Sequence, residues 1–333
     1  MNFKHIAAFL LFFAGSISFS QEVLPVYSDY LTDNLFLLHP SMAGASACDK
    51  VRLTARQQWF DQKDAPALQT LSYNGKAGDK SGFGVILMND RNGYHSQKGL
   101  KLAYAHHLQF SRDEIDLNQL SFGLSAGFAQ SLIDETTWKE FDPVVNGTIV
   151  QKANYFNMDF GTSYNYMDFF LHFTVKNLLS SKRSLYTSKE PVDLQRFILN
   201  TGYTFGDDKN ISWEPSIMFQ NIKQTKESIL DLNVKVFKAI ENGRIWGGLS
   251  YRRSFDGAEY YDGNQIPVEI GTQKLQYITP LLGFNYKNFM FAYTYSQLTQ
   301  KINFGTSGFH QITLGLNLNC RPERYHCNCP AIN

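Results

Sequence analysis

Cys48, Cys320, Cys327 and Cys329 are the side chains best equipped for chemistry in this 333-residue chain. An even number of thiols points to disulfides rather than to catalysis if the chain folds in an oxidising compartment. Three pairings are open. A Cys327–Cys329 bond would be tight, so Cys48 is expected to bond one of those two and Cys320 the other. The run Cys327-Asn328-Cys329 next to His326 could also offer metal ligands. Its C-x-C spacing is not the C-x2-C of common zinc sites, so neither a metal nor another cofactor is expected. A hydrolase would need a nucleophile, a base and an orienting carboxylate in one place. No G-x-S-x-G occurs. His106 and His107 are adjacent, so on a strand they face opposite ways, and neither has an evident Ser or Asp partner. His39, His95, His172 and His310 are scattered. No phosphate-binding glycine spacing occurs either, and no enzymatic activity is expected.

What positions these residues follows from composition. Lys and Arg total 31 and Asp and Glu 30, a balance that argues against nucleic-acid binding. Aromatics make up 15% and charged residues 18%, while the mean hydropathy is −0.29. An aromatic-rich, charge-poor chain that is not hydrophobic on average suits sheets with one greasy and one polar face.

The first twenty residues resemble a secretory signal. Lys4 and His5 precede an apolar run over 6–14, and Ser18-Phe19-Ser20 sets cleavage before Gln21. No stretch approaches the ~18 apolar residues of a membrane helix. Downstream, period-two alternation recurs. Leu120, Phe122, Leu124, Ala126 and Phe128 share one face, and Ser121, Gly123, Ser125 and Gly127 the other. Fourteen strands are expected: 51–60, 67–77, 82–89, 98–110, 118–131, 153–166, 167–177, 194–205, 211–222, 228–237, 244–254, 273–286, 288–297 and 309–318. Short connections alternate with long ones such as 132–152 and 178–193, as they do in outer-membrane barrels; the short links 61–66 and 223–227 are exceptions.

The expected fold is therefore all-β, a transmembrane outer-membrane barrel of about 14 antiparallel strands with both termini periplasmic. Its parts are a signal peptide (1–20), a periplasmic N-terminal segment or plug (21–50), the barrel (51–318) and a cysteine-bearing periplasmic tail (319–333). Small inward residues leave room for water, a plug or a bound segment. An outer-membrane porin or substrate-specific channel is thus the alternative.

Residues 34–44, Asn34-Leu-Phe-Leu-Leu-His39-Pro40-Ser-Met-Ala43-Gly44, look like a degenerate N-x-x-x-x-N-P-A-x-A-G. Arg56-Gln57-Gln58-Trp59 resembles R-x-Q-W on a first strand, followed by Gly82-Phe83-Gly84 and Asn89-Asp90-x-x-Gly93. Gly308 to Leu314 resembles a closing strand. In this order the set is similar to the PorP/SprF family of type IX secretion outer-membrane proteins of Bacteroidota. His39 stands where that family commonly has Asn, and Ser41-Met42 replaces Ala-Tyr. The resemblance implies a non-enzymatic barrel that assists export or surface anchoring of a large secreted, adhesin-like protein through its type B C-terminal sorting domain. Gliding motility is linked to some members. Implied partners are that cargo, the secretion machinery or a periplasmic lipoprotein, and outer-membrane lipid. Asn34, Pro40, Ala43, Gly44, Arg56, Gln58 and Trp59 are the implied structural or partner-binding positions.

Overall fold

The computed structural model describes residues 31–58, 65–111, 116–134, 136, 150–180, 195–207, 209–223, 226–261, 270–299, 308–322 and 325. The expected signal segment, Trp59, Cys327 and Cys329 lie outside them.

The described residues form β1 (Asp49–Gln58), β2 (Ala67–Lys76), β3 (Ser81–Asn92), β4 (His95–Gln109), β5 (Asn118–Asp134), β6 (Val150–Tyr166) and β7 (Phe169–Lys176). There follow β8 (Arg196–Tyr203, continued by Phe205–Gly206), β9 (Ile211–Ile222), β10 (Ser228–Ile240), β11 (Gly243–Tyr261), β12 (Ile270–Tyr286), β13 (Phe289–Leu298) and β14 (Phe309–Leu318). Each strand pairs antiparallel with its chain neighbours, and β14 returns to β1 from Asp49↔Leu318 to Gln58↔Phe309. The sheet is thus a closed barrel of fourteen strands, and closure removes every edge. Among the described residues no helix is long and apolar enough to cross a membrane.

The alternation produces a protein turned inside out. Leu53, Leu71, Leu87, Leu100, Phe128 and Phe156 stand in register on neighbouring strands, all exposed on the outer wall. Thr54, Ser72, Ser125 and Asp159 are buried on the inner wall. Apolar outside and polar inside is the arrangement that lipid demands.

The β11–β12 register shifts between Arg253 and Gly257, and two further irregularities fall at prolines. Pro215 has no N–H to give to the ladder, and β8 is interrupted at Thr204, which stands opposite Glu214, the residue before the proline. The β12–β13 pairing skips from Ile278 to Leu281 across Pro280 for the same reason. Several strands run longer than the alternation alone indicated, β6 starting at Val150 and β11 ending at Tyr261. The expected connection 90–97 is instead a two-residue turn at Gly93 and Tyr94, Gly93 taking the left-handed φ of 58° that such hairpins need. Two-residue turns also join β6 to β7, β10 to β11 and β12 to β13. These lie with both ends of the barrel chain at one rim, the short-turn end. Connections 135–149, 177–195, 262–269 and 299–308 lie at the other, together with the Gly93-Tyr94 turn and the short links 59–66 and 223–227.

Candidate functional site

The inner wall encloses residues 31–46, which enter at the short-turn end and make two 3-10 turns, Leu35–Leu37 and Pro40–Met42. Pro40 opens its turn, where a missing N–H costs nothing. Leu31, Asn34, Phe36, Leu38, His39, Ser41 and Ala43 are buried.

Polar groups tie the segment to the wall all round. Asn34 Nδ2 donates to Ser72 Oγ at 3.0 Å. Thr32 and Thr313 hydroxyls meet at 3.3 Å, His39 Nδ1 and Thr174 Oγ1 at 2.8 Å, and Ser41 and Ser163 hydroxyls at 2.6 Å. Lys176 Nζ donates to the carbonyl of Leu37 at 2.9 Å. His107 Nε2 lies 3.0 Å from the Ala43 carbonyl, which can only accept, so Nε2 carries the proton. Its Nδ1 then accepts from Ser121 Oγ at 2.8 Å. Contrary to expectation, His106 meets Ser81 Oγ at 3.4 Å on the outer face, and His107 too has a serine partner in Ser121. The pair is sealed under the plug, where it serves to fix Ala43.

Glycines make the seat. A Cβ on Gly123 would stand 2.2 Å from the amide nitrogen of Ser41, one on Gly84 2.3 Å from the Phe36 ring, and one on Gly82 2.1 Å from the Ala43 carbonyl oxygen. Gly44 is required twice over. Its φ is +66°, and its own Cβ would meet Gly75 oxygen at 2.6 Å. Opposite these small residues the wall carries large ones. Ile198, Met218, Phe237, Trp246, Leu281 and Met290 pack with Leu31 and Leu38 into one apolar cluster. The segment therefore spans the lumen from the β2–β7 wall to the β8–β13 wall, and the interior holds a small hydrophobic core.

Charges inside the barrel are paired rather than of one sign. Asp159 takes Lys101 Nζ at 2.6 Å, and Asp231 takes both arms of Arg252 at 2.7 Å. Asp33 of the plug meets Lys50 at 3.3 Å and Arg52 at 3.2 Å. Burial alone would raise its pKa, but Lys50, Arg52 and Lys235 outweigh burial and hold the carboxyl below its ordinary range.

Cys48 bonds Cys320, with Cα atoms 4.1 Å apart. This corrects the expectation that Cys48 would take Cys327 or Cys329. The reason is the register of closure: Asp49 faces Leu318, so the residues just beyond the two strands emerge side by side, and Arg321 N reaches the Ala47 carbonyl at 3.2 Å. Tyr325 of the tail then packs near Met42, Ala45 and Leu117.

Of the motif positions, Asn34, Pro40, Ala43 and Gly44 come together in the plug. Arg56 and Gln58 do not join them. They share the inner parity of β1 but sit at its far end, where Arg56 lies 4.9 Å over the Phe309 ring and Gln58 N donates to the Pro66 carbonyl. Sequence reasoning missed the apolar half of the seat. The available signal was that large residues at inward positions concentrate on β8–β13, facing the run Leu35 to Leu38. Among the described residues no three His, Cys, Asp or Glu side chains lie together to hold a metal.

No curated protein sequence matches the chain. Solved structures with similar backbones are a Pseudomonas aeruginosa FadL homologue (9% identity, TM-score 0.48, covering 87% of this chain and 94% of that one) and a TodX monoaromatic hydrocarbon channel mutant (9%, 0.48, 85% and 93%). The NalP autotransporter translocator domain of Neisseria meningitidis follows at 11% identity and TM-score 0.33, with 81% and 88% covered. The profile of the type IX secretion system membrane protein PorP/SprF matches residues 19–316. An inside-out barrel of fourteen strands, matched over nearly its whole length by that profile, makes this chain an outer-membrane member of the PorP/SprF family of type IX secretion proteins.

Proposed function

We propose that this barrel assists type IX secretion, or anchors at the surface a large, adhesin-like secreted protein held through its type B C-terminal domain. Where that cargo is a motility adhesin, gliding depends on it. The plugged lumen is the observation that carries this reading beyond family membership. An interior sealed by an apolar cluster and hydrogen bonds from the surrounding strands suits a protein that holds other proteins better than one that passes solutes. The even strand count, and short turns at the rim where both chain ends emerge, support termini in the periplasm and long loops outside. The machinery or a periplasmic lipoprotein would then meet the short-turn end, and the cargo the loops, which are free to vary in length and chemistry. Nothing in this reading needs a catalytic group.

The porin alternative requires the plug to leave. Affinity purification of the chain, tagged within 137–149, from detergent-solubilised outer membrane separates the two. Co-purification of a large surface protein at fixed stoichiometry is expected. A lone barrel that conducts ions in a bilayer would sink the anchoring reading.

A further inference from the structure

The plug does not fill the lumen evenly. Away from the glycine seat a cavity of about 300 Å³ opens at the short-turn mouth, a size at the lower end of ligand sites. Four cations and two carboxylates line it: Lys50, Lys235, Arg244 and Lys287 against Asp33 and Glu214. Lys50 pairs with Asp33 at 3.3 Å, and Lys235 with Glu214 at 2.8 Å. Arg244 and Lys287 are the surplus. Neither has a carboxylate partner among the described residues; Arg244 rests 5.4 Å over the Phe237 ring and Lys287 5.5 Å from the Tyr286 ring. A guanidinium laid on an aromatic face is held ready for a planar carboxylate.

A second feature narrows the ligand. Asn200 lines the same cavity, and its buried Oδ1 has no hydrogen-bond partner. A buried acceptor left empty costs stability, so the site calls for an N–H donor as well as an anion. A peptide supplies both. A compact polyanion such as phosphate concentrates its charge on one centre beside Asp33 and Glu214, whereas the separate carboxylates of a peptide can sit on Arg244 and Lys287 and keep clear of them. The wall at this point is luminal, away from the lipid-facing side.

We propose that the short-turn mouth binds an acidic peptide segment of a partner protein, its carboxylates on Arg244 and Lys287 and an N–H on Asn200. The site deepens the secretion reading: its place in the periplasm, and so the kind of partner, rests on the orientation argued above.

The test is fluorescence anisotropy on the purified full chain in detergent, with a labelled Ala-Glu-Phe-Glu-Ala amide as probe and its Glu-to-Lys counterpart as control. Saturable binding of the acidic probe alone is expected. It should weaken about tenfold in Arg244→Gln/Lys287→Gln and survive in Arg244→Lys. Equal binding by wild type and the double variant overturns the proposal. So does displacement by millimolar inorganic phosphate, which would mark a phosphate site, or tighter binding after deletion of 326–333, which would make the chain's own tail the occupant. Because the probe is read on isolated protein, this outcome is separate from cargo capture. Binding without capture would remove the secretion reading and leave the site; capture without charge-dependent binding would remove only the site.

Discussion

Replacing Gly123 by Ala should unseat the plug while leaving the barrel whole. Gly123 lies on β5, flanked in register by Ala105 and Gly161, so the strands themselves have room for a methyl group. The obstacle is the plug. The new Cβ would stand 2.2 Å from Ser41 N and 2.3 Å from the carbonyl carbon of Pro40. Both are backbone atoms, and no rotamer change relieves the clash. Overpacking of a fitted core typically costs 1–3 kcal/mol. Taking ~3 kcal/mol for a backbone obstacle, the unseated population should rise about 100-fold. Planar-bilayer recording reads this directly: wild type should show rare, brief openings, and Gly123→Ala frequent or lasting ones. Gly78→Ala, where nothing lies within 4 Å of the added carbon, is the matched control and should behave as wild type. Strand content by circular dichroism should be alike in all three. Identical traces for Gly123→Ala and Gly78→Ala would refute the argument, as would a wild type that already conducts freely.

Other outcomes follow from the same contacts. Acidification should loosen the plug. Burial, with His172 and Lys176 close by, pushes the His39 pKa well below its ordinary 6.5. The seated state therefore binds fewer protons than the released one. Seating should be flat with pH above about 6.5 and weaken below it by up to ~1.4 kcal/mol per pH unit for each proton taken up; His39→Gln should lessen the slope in bilayer recordings, the remainder belonging to His107, which also holds the plug, and to His172 beside it. Removing the Cys48–Cys320 bond with Cys48→Ser/Cys320→Ser releases a constraint across 272 residues, worth on the order of 5 kcal/mol by chain entropy. The heat-induced mobility shift on gels should move to lower temperature. Arg252→Met removes the two-armed partner of the buried Asp231 carboxylate and should cost about 3 kcal/mol in urea unfolding, much of it recovered in Arg252→Met/Asp231→Leu.

The barrel was largely legible because its signal is local. Alternation needs only a strand and its two environments, so the inward set around Gly123 and the count of fourteen could be read directly from residue order. Strand ends were less legible, because the apolar–polar alternation fades over Val150–Lys152 of β6 and Phe255–Tyr261 of β11. The plug was legible only as a motif. Pro40 and Gly44 announce turns, but which wall they touch depends on how strands far apart in sequence close. The disulfide shows the same limit. Proximity of Cys327 and Cys329 in the tail argued against their bonding each other, yet the partner of Cys48 was decided by the β1–β14 register, a contact between the chain's two ends. Arg56 and Gln58 stand close to the plug in sequence and far from it along β1.

The cystine at the β1–β14 seam lies one residue beyond Ala47, where the plug leaves the lumen. It makes the plug a stopper on a leash. Were residues 31–46 to leave the lumen, their point of attachment would stay covalently fixed to the rim they came from, at a seam that the cystine keeps from unzipping. A segment tethered so close to its seat faces it at a millimolar effective concentration. Displacement is then a reversible competition, which a bound protein segment could win only while it stays, and the barrel recloses by itself once that segment departs.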